Sequence, residues 1–153
     1  MSGTGANAAA GVPRLPPSGP PPVLIVDDAS LVRRYYRDAL GGAGYAVEEA
    51  LNGLEALEKL LVAPAGLIVL DVNMPKMDGM TFLRALRRQA LPLAATPVLV
   101  TSTEASPRDA LLAREAGANF YLVKPVERQR FLDHVALLYG HAFSPSGPRE
   151  TGA

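Results

Sequence analysis

Short apolar runs alternate with segments of helical periodicity five times along the chain, and this alternation constrains the fold most. The apolar runs lie at residues 23–26, 45–49, 66–70, 97–100 and 120–123. Strands that alternate with helices predict a parallel sheet with helices on both faces. Because five units are too few for an eight-stranded barrel, the sequence predicts a doubly wound α/β fold with five strands and five helices.

Each segment between the apolar runs places apolar side chains on one face of a helix. In the first, third and fifth helices we expect these inward residues: Val32, Tyr35, Tyr36, Ala39, Leu40, Phe82, Leu83, Leu86, Phe131, Leu132, Val135, Leu138 and Tyr139. In the second helix we expect Leu54, Leu57, Leu60 and Leu61 to point inward. The arginines expected on the solvent side are Arg33, Arg34, Arg37, Arg84, Arg87 and Arg88. Ser106 and Pro107 predict the start of the fourth helix, which should end at Gly117.

The two ends of the chain have a different composition from its centre. Residues 1–21 are rich in Gly, Ala and Pro and contain few side chains that could be buried. We expect a disordered arm there and a flexible tail at residues 141–153. The remaining residues, 22–140, are enough for one folded domain.

The overall composition excludes several classes of function. Lys and Arg together number 15, as do Asp and Glu, so the chain lacks the basic excess that binding to nucleic acid or acidic membranes requires. It has no cysteine, which excludes disulfides, thiol catalysis and thiolate metal sites. We find no signal peptide and no apolar run near the roughly 20 residues of a membrane helix. The sequence therefore predicts a cytoplasmic protein.

Four of the predicted strands read as buried and apolar, and each ends in a reactive group. These groups are Asp27-Asp28, Asp71, Thr101-Ser102 and Lys124. The carboxyl ends of parallel strands meet at one edge of the sheet, where ligands bind in open α/β folds. We therefore expect three carboxylates, two hydroxyls and one ammonium to converge there.

Three clustered carboxylates must bind a cation or retain a proton. Two ionised carboxylates about 4 Å apart repel by roughly 4 kcal/mol at an effective dielectric constant near 20. Oxygen ligands without Cys favour Mg²⁺, which takes one or two carboxylates together with a phosphate oxygen. A metal ion, an ammonium and a hydroxyl around Asp71 are the groups that phosphoryl transfer to this carboxylate needs.

Each of these residues also has an ordinary structural interpretation. Asp27 or Asp28 could cap the first helix, and Asp71 could cap or polarise the following turn. Ser102 could be an ordinary hydroxyl at a strand end, and Lys124 a solvated lysine. Their joint arrangement on successive strands favours the functional interpretation.

Four motifs occur together in the order and spacing of a known family. They are Val26-Asp27-Asp28, residues 71–79 (DVNMPKMDG), Thr101-Ser102 and residues 121–125 (YLVKP). This set resembles the receiver domain of bacterial two-component response regulators over about residues 22–140. The resemblance implies a flavodoxin-like receiver fold with strand order 2-1-3-4-5. It is closest to stand-alone, chemotaxis-type regulators, because no output domain follows.

The resemblance also implies the roles of individual residues. Asp71 would accept a phosphoryl group from a phosphohistidine, and Lys124 would pair with a phosphoryl oxygen. Asp28, Asp71 and the backbone carbonyl of Asn73 would ligate Mg²⁺ (Mn²⁺ is the alternative), and Asp27 would hold a water of the metal.

Further residues would transmit or time the signal. Ser102, and not Thr101, would be the switch hydroxyl, and Tyr121 the aromatic side chain that moves with it. Lys124 and Pro125 would be joined by a cis peptide bond. The residues that influence the lifetime of the phosphoryl group would be Asn73, Thr103 and Glu104. Thr103 departs from the small residue of the family's best-known members, and the proline-rich arm is an addition to the minimal domain.

The function implied is that of a single-domain response regulator in a phosphorelay. It would receive its phosphoryl group from a sensor histidine kinase or a histidine phosphotransfer protein. It would then change the face formed by the fourth helix, the fifth strand and the fifth helix to control an unknown output protein. It would not be an enzyme, apart from catalysing its own phosphoryl transfer and dephosphorylation.

Three alternatives stay open. A phosphate shuttle or sink would keep the same site without an output of its own. A phosphatase of the haloacid dehalogenase type would need a second Asp at position 73, which is Asn. A flavodoxin-like cofactor binder would need a Gly-rich or Ser/Thr-rich phosphate loop after the first strand, where Asp27 and Asp28 would repel phosphate.

Overall fold

The computed structural model describes residues 19–74 and 77–139. Within these residues the strands are Val23–Val26 (β1), Val47–Ala50 (β2), Leu67–Asp71 (β3), Val98–Ser102 (β4) and Phe120–Val123 (β5). The helices are Ser30–Gly42 (α1), Gly53–Val62 (α2), Gly79–Arg87 (α3), Pro107–Ala116 (α4) and Arg128–Leu138 (α5), with a short 3₁₀ helix at Leu93–Ala95. The tail predicted at 141–153, and nearly all of the arm predicted at 1–21, lie outside the described residues.

The five strands pair in parallel in the order β2-β1-β3-β4-β5. Asp71, the last residue of β3, is in register with Thr101 of β4. This confirms the doubly wound parallel sheet with order 2-1-3-4-5. Within the described ranges no helix is long and apolar enough to cross a membrane.

The sheet separates two apolar clusters, one on each of its faces. One cluster contains the buried side chains of α2, α3 and α4, and the other contains those of α1 and α5. Phe82, Leu83 and Leu86 of α3 are fully buried, as are Phe131 and Val135 of α5. The inward faces predicted for these two helices are therefore confirmed.

The predicted inward face of α2 is partly wrong. Leu54 is 49% exposed and Leu61 is 67% exposed, whereas Ala56 and Leu60 are buried. The cause is the close packing of α2 against α3, since a Cβ built on Gly53 would lie 2.8 Å from Cβ of Phe82. Small residues therefore face the core here, and two of the leucines are displaced to the surface.

Three more expectations about burial need correction. Tyr35 of α1 is 41% exposed, and its hydroxyl donates a hydrogen bond to the carbonyl of Val126. The strand β5 is not fully buried, because it lies at the edge of the sheet and exposes Phe120 and Val123. Arg33 and Arg87, which were expected in solvent, are partly buried and donate hydrogen bonds to backbone carbonyls.

The helix termini follow the sequence closely. Ser106 caps α4 by accepting a hydrogen bond from the Asp109 amide, and Gly117 ends this helix at a φ of 117°. The cap residue of α1 is Ala29, whose side chain makes no capping bond. The alternative that Asp27 or Asp28 is the cap of α1 is therefore wrong.

Candidate functional site

The carboxylates of Asp27, Asp28 and Asp71 converge at the carboxyl ends of β1 and β3. Each offers one oxygen, and these three atoms lie within 4.8 Å of one another. The Lys124 ammonium, just after β5, lies 3.1 Å from Asp27 Oδ2 and 3.3 Å from Asp71 Oδ1. Of the six groups expected at this edge, the three carboxylates and the ammonium therefore do meet.

Asp71 is nearly buried at the end of a central strand, with 5% of its surface exposed. Its Oδ1 accepts a long hydrogen bond, 3.4 Å, from the amide of Asn73. Burial raises the pKa of the Asp71 carboxyl, and the charge of Asp27 raises it further, while Lys124 opposes them. The group therefore sits where a carboxylate is poorly solvated and borders the two other acids.

The loop after Asp71 folds back tightly onto β3. A Cβ on Gly79 would lie 2.5 Å from Cα of Val72 and 2.6 Å from the carbonyl oxygen of Asp71. Only a residue without a side chain lets α3 begin directly behind the carboxylate. Asp78 precedes it and caps α3 by accepting a hydrogen bond from the Thr81 amide.

Asp27 and Asp28 differ sharply although they are neighbours. Asp27 is buried, and its Oδ1 accepts a hydrogen bond from the Ala29 amide at 2.9 Å. Asp28 is exposed. Asp27 is thus fixed within the fold, and Asp28 faces the opening of the pocket.

Lys124 is held at both its backbone and its side chain. Its amide donates a hydrogen bond of 2.7 Å to the carbonyl of Ser102, which ties β5 to the end of β4. The peptide bond between Lys124 and Pro125 is cis. The side chain is only 18% exposed, because it points into the acidic pocket.

The two hydroxyls at the end of β4 are both fully buried. Ser102 Oγ accepts a hydrogen bond of 3.0 Å from the Glu104 amide. Thr101 Oγ1 is, among the described residues, the one buried side-chain polar atom without a hydrogen-bond partner. Ser102 is therefore connected to the following loop, whereas Thr101 is not.

Tyr121 of β5 contacts the same loop. Its hydroxyl donates a hydrogen bond of 2.7 Å to the carbonyl of Glu104. The side chains of Ser102, Glu104 and Tyr121 line one cleft between α3 and α4, which Asn73 also borders. Thr103 is exposed and lines a neighbouring depression beside Lys124.

The sequence that forms this site matches the model of a known protein family. The model described as "Response regulator receiver domain" matches residues 23–136, which include all of the strands and all three acids. The chain belongs to the response regulator receiver family.

Individual relatives agree with this membership. Curated response regulators named MprA, from Mycobacterium strains KMS and JLS, are 35% identical over 126 residues, which is 82% of this chain and 54% of theirs. The chain therefore spans about half the length of these curated relatives.

Solved structures of other receiver domains have the same fold. The chemotaxis protein CheY4 of Vibrio cholerae is 37% identical, with a TM-score of 0.73 over 78% of this chain and 99% of that one. The signal receiver domain of a histidine kinase from Syntrophus aciditrophicus is 31% identical, with a TM-score of 0.74 over 87% of this chain and 98% of that one. Receiver domains are signalling modules and are generally not classed as enzymes.

Receiver domains generally bind Mg²⁺ at an acidic site, and the residues present here fit this ion. The donors are carboxylate oxygens from three residues, close enough to approach one cation. Mg²⁺ prefers such oxygen ligands and retains several waters. Asp28 is exposed at the opening, where a hydrated ion would enter.

One residue at the receiver site was not foreseen from the sequence. Arg33 of α1 was expected in solvent, but its guanidinium donates a hydrogen bond of 2.8 Å to the carbonyl of Asp27. Its position six residues after Asp27 does not indicate this contact, because an arginine there has the pattern of any residue on the polar face of an amphipathic helix. Only the path of the loop between β1 and α1 brings the two together.

Proposed function

We propose that this receiver domain acts as a response regulator that accepts a phosphoryl group on Asp71. The donor is a phosphohistidine on a sensor histidine kinase or a histidine phosphotransfer protein. The supporting observation is the placement of a nearly buried carboxylate 3.3 Å from an ammonium and beside two further acids. Few structural roles require this concentration of charge at one strand end.

The chemistry at Asp71 is an in-line displacement at phosphorus. A carboxylate oxygen of Asp71 forms the new bond to phosphorus, and the bond from phosphorus to the histidine nitrogen breaks. The departing electron pair stays on the imidazole nitrogen, which then takes up a proton. The product on this chain is an acyl phosphate.

Other residues of the pocket handle the charge that arrives with the phosphoryl group. Lys124 exchanges its contact with Asp71 for a phosphoryl oxygen, since its ammonium already lies on that side of the carboxylate. Asp28, Asp71 and the Asn73 carbonyl would hold Mg²⁺, and Asp27 would orient a water of the ion. The bound ion would supply positive charge to the phosphoryl oxygens.

The signal leaves the pocket through Ser102 and Tyr121. Both side chains bond the backbone of Glu104, Ser102 at its amide and Tyr121 at its carbonyl. When Ser102 turns to the phosphoryl group, the Glu104 amide loses its acceptor and the loop before α4 shifts. Tyr121 then loses its anchor as well, which changes the face formed by α4, β5 and α5 for an output protein.

A phosphate shuttle or sink is the second candidate. It is favoured by the likeness to a receiver domain that belongs to a histidine kinase, because such a domain shows that this fold is not limited to response regulators. In this case Asp71 passes its phosphoryl group to a histidine, and the face of α4, β5 and α5 controls no target.

The acceptor and the metal are tested together with a small phosphodonor. Acetyl phosphate and Mg²⁺ should phosphorylate wild type, and Asp71→Asn should abolish incorporation while the variant remains folded. Asp28→Ala should weaken Mg²⁺ binding severely in a calorimetric titration. Undiminished, acid-labile incorporation in Asp71→Asn, or an unchanged titration for Asp28→Ala, would contradict the assigned roles.

A binding experiment separates the two candidates. Immobilised wild type is compared with and without beryllofluoride, which mimics the phosphoryl group on an aspartate. A non-kinase protein retained only by the beryllofluoride form identifies a direct effector. Retention of histidine kinases or phosphotransfer proteins alone identifies a shuttle or sink.

A further inference from the structure

Arg33 bridges the acidic pocket and the edge of the sheet. Its Nη1 donates a hydrogen bond of 2.8 Å to the carbonyl of Asp27, and its Nε donates one of 2.8 Å to Glu49 Oε1 on β2. The side chain is only 13% exposed. One guanidinium thus joins β2 to the loop that carries Asp27 and Asp28.

Glu49 is a strong anchor for this bridge. Burial acts to raise the pKa of its carboxyl, but hydrogen bonds and attraction from Arg33 and Arg37 outweigh burial, so the pKa lies below its ordinary value. The carboxylate is therefore ionised at neutral pH, and charge-assisted hydrogen bonds of this kind are stronger than neutral ones.

The carbonyl that Arg33 holds belongs to the peptide unit between Asp27 and Asp28. The other polar groups of Asp27 are also bonded: its amide to the Ala50 carbonyl, Oδ1 to the Ala29 amide, and Oδ2 to the Lys124 ammonium. Among the described residues, no hydrogen bond or ion pair fixes the Asp28 carboxylate. Its direction therefore depends on the two peptide planes that flank Asp28, and Arg33 holds the first of them while the hydrogen bond from the Ala29 amide to Asp27 holds the second.

We propose that Arg33 is a positioning residue of the cation site, which orients Asp28 through the Asp27 carbonyl. This inference rests on the proposed function, because it assigns the Asp28 carboxylate to Mg²⁺. Through its contacts with β2 and with the Asp27 carbonyl, Arg33 of α1 would influence the ion without touching it. Residues that orient metal ligands in this way commonly change metal affinity by about 10-fold to 100-fold when they are replaced.

Arg37 provides a matched control on the same helix. It also pairs with Glu49 through its guanidinium, but no contact joins it to Asp27 within the part of the chain that the structure describes. Replacing either arginine by alanine removes one positive charge from the vicinity of the acids. If charge alone mattered, both replacements would leave Mg²⁺ binding unchanged or tighten it.

The experiment measures Mg²⁺ affinity calorimetrically, without a phosphodonor, for wild type, Arg33→Ala, Arg33→Lys and Arg37→Ala. We expect Arg33→Ala to weaken binding about 10-fold, against the direction of its charge effect, and Arg37→Ala to bind at least as tightly as wild type. Arg33→Lys should also bind more weakly, because one ammonium cannot reproduce the planar fork that reaches both partners. Arg33→Lys retains the positive charge, and it keeps the test informative if Arg33→Ala does not fold.

Phosphorylation by acetyl phosphate gives a second readout. In Arg33→Lys the Mg²⁺ concentration for half-maximal rate should rise, while the rate at saturating Mg²⁺ stays near that of wild type. Equal affinities in the Arg33 and Arg37 variants would overturn the inference and leave the proposed function intact. A wild type that fails to bind Mg²⁺ would instead overturn the proposed function.

Discussion

The Lys124 ammonium lies 3.3 Å from Asp71 Oδ1, yet it does not fully compensate the charge of that carboxylate. Burial raises the pKa of Asp71, the neighbouring charge of Asp27 raises it further, and these effects together exceed the contribution of Lys124. Ionising Asp71 in the folded protein is therefore less favourable than in the unfolded chain. The site therefore carries a cost in stability until a cation offsets its negative charge.

Asp71→Asn should therefore raise the free energy of unfolding at neutral pH without Mg²⁺, by on the order of 1 kcal/mol. The neutral amide removes the poorly solvated charge and its repulsion from Asp27. Denaturant unfolding of both proteins measures the difference. Asp38→Asn, which neutralises an exposed acid on α1, is the control and should change stability little.

The same pair of proteins should differ in pH dependence. The folded state retains the proton of Asp71 to a higher pH than the unfolded chain. Wild type therefore loses stability relative to Asp71→Asn as the pH rises from the ordinary pKa of Asp through the raised one. Below that window the two should converge. A wild type that is more stable than Asp71→Asn at neutral pH without Mg²⁺ would contradict this account.

Thr101→Val should leave the free energy of unfolding unchanged or raise it by up to about 1 kcal/mol. The buried hydroxyl of Thr101 has no partner within hydrogen-bond geometry, although its proximity to the hydroxyl of Tyr36 acts to lower the pKa of that phenol. Burial raises the pKa of Tyr36 to about 12, so this phenol stays protonated. Valine has the shape of threonine and needs no partner.

Thr96→Val is the matched control for that change. Thr96 is equally buried, but its hydroxyl donates a hydrogen bond of 2.8 Å to the carbonyl of Leu93. Its replacement should lower the free energy of unfolding by about 1 kcal/mol. Thr96→Val should therefore lower the midpoint temperature of thermal unfolding. Thr101→Val should raise this temperature or leave it unchanged. Equal losses in both would show that Thr101 has a partner.

Arg87→Ala should destabilise the protein by about 2–4 kcal/mol. Five hydrogen bonds join the guanidinium of Arg87 to four acceptors: the carbonyls of Gly117, Ala94 and Thr96 and the side-chain oxygen of Asn119. Alanine would remove this donor from the three carbonyls, while the Asn119 oxygen would keep its hydrogen bond from the Val98 amide. Denaturant unfolding should show little change for Arg88→Ala, whose exposed side chain comes directly after the same helix. Equal effects of the two would contradict the account.

Much of the fold and of the site could be predicted from local patterns. The apolar runs before Asp27, Asp71 and Lys124 end in charged residues, and parallel pairing brings such ends together without further information. The capping pair Ser106 and Pro107 predicts where α4 starts because capping is a local interaction.

The errors concern residues whose partners lie far away in the chain. Leu54 and Leu61 have the helical spacing of core residues, but the close approach of α3 to Gly53 turns that face away. The patterns of Arg33 and Arg87 are those of solvated helix faces. Their partners, Glu49 and the carbonyl of Gly117, become neighbours only through the tertiary fold.

The position of the phosphoryl group on wild type is the most direct test of the account. Protein treated with acetyl phosphate and Mg²⁺ is reduced with borohydride, which converts an aspartyl phosphate into homoserine, and the modified residue is located by tandem mass spectrometry. We predict homoserine at position 71 and none at positions 27 or 28. Homoserine at another aspartate, with position 71 unmodified, would contradict it.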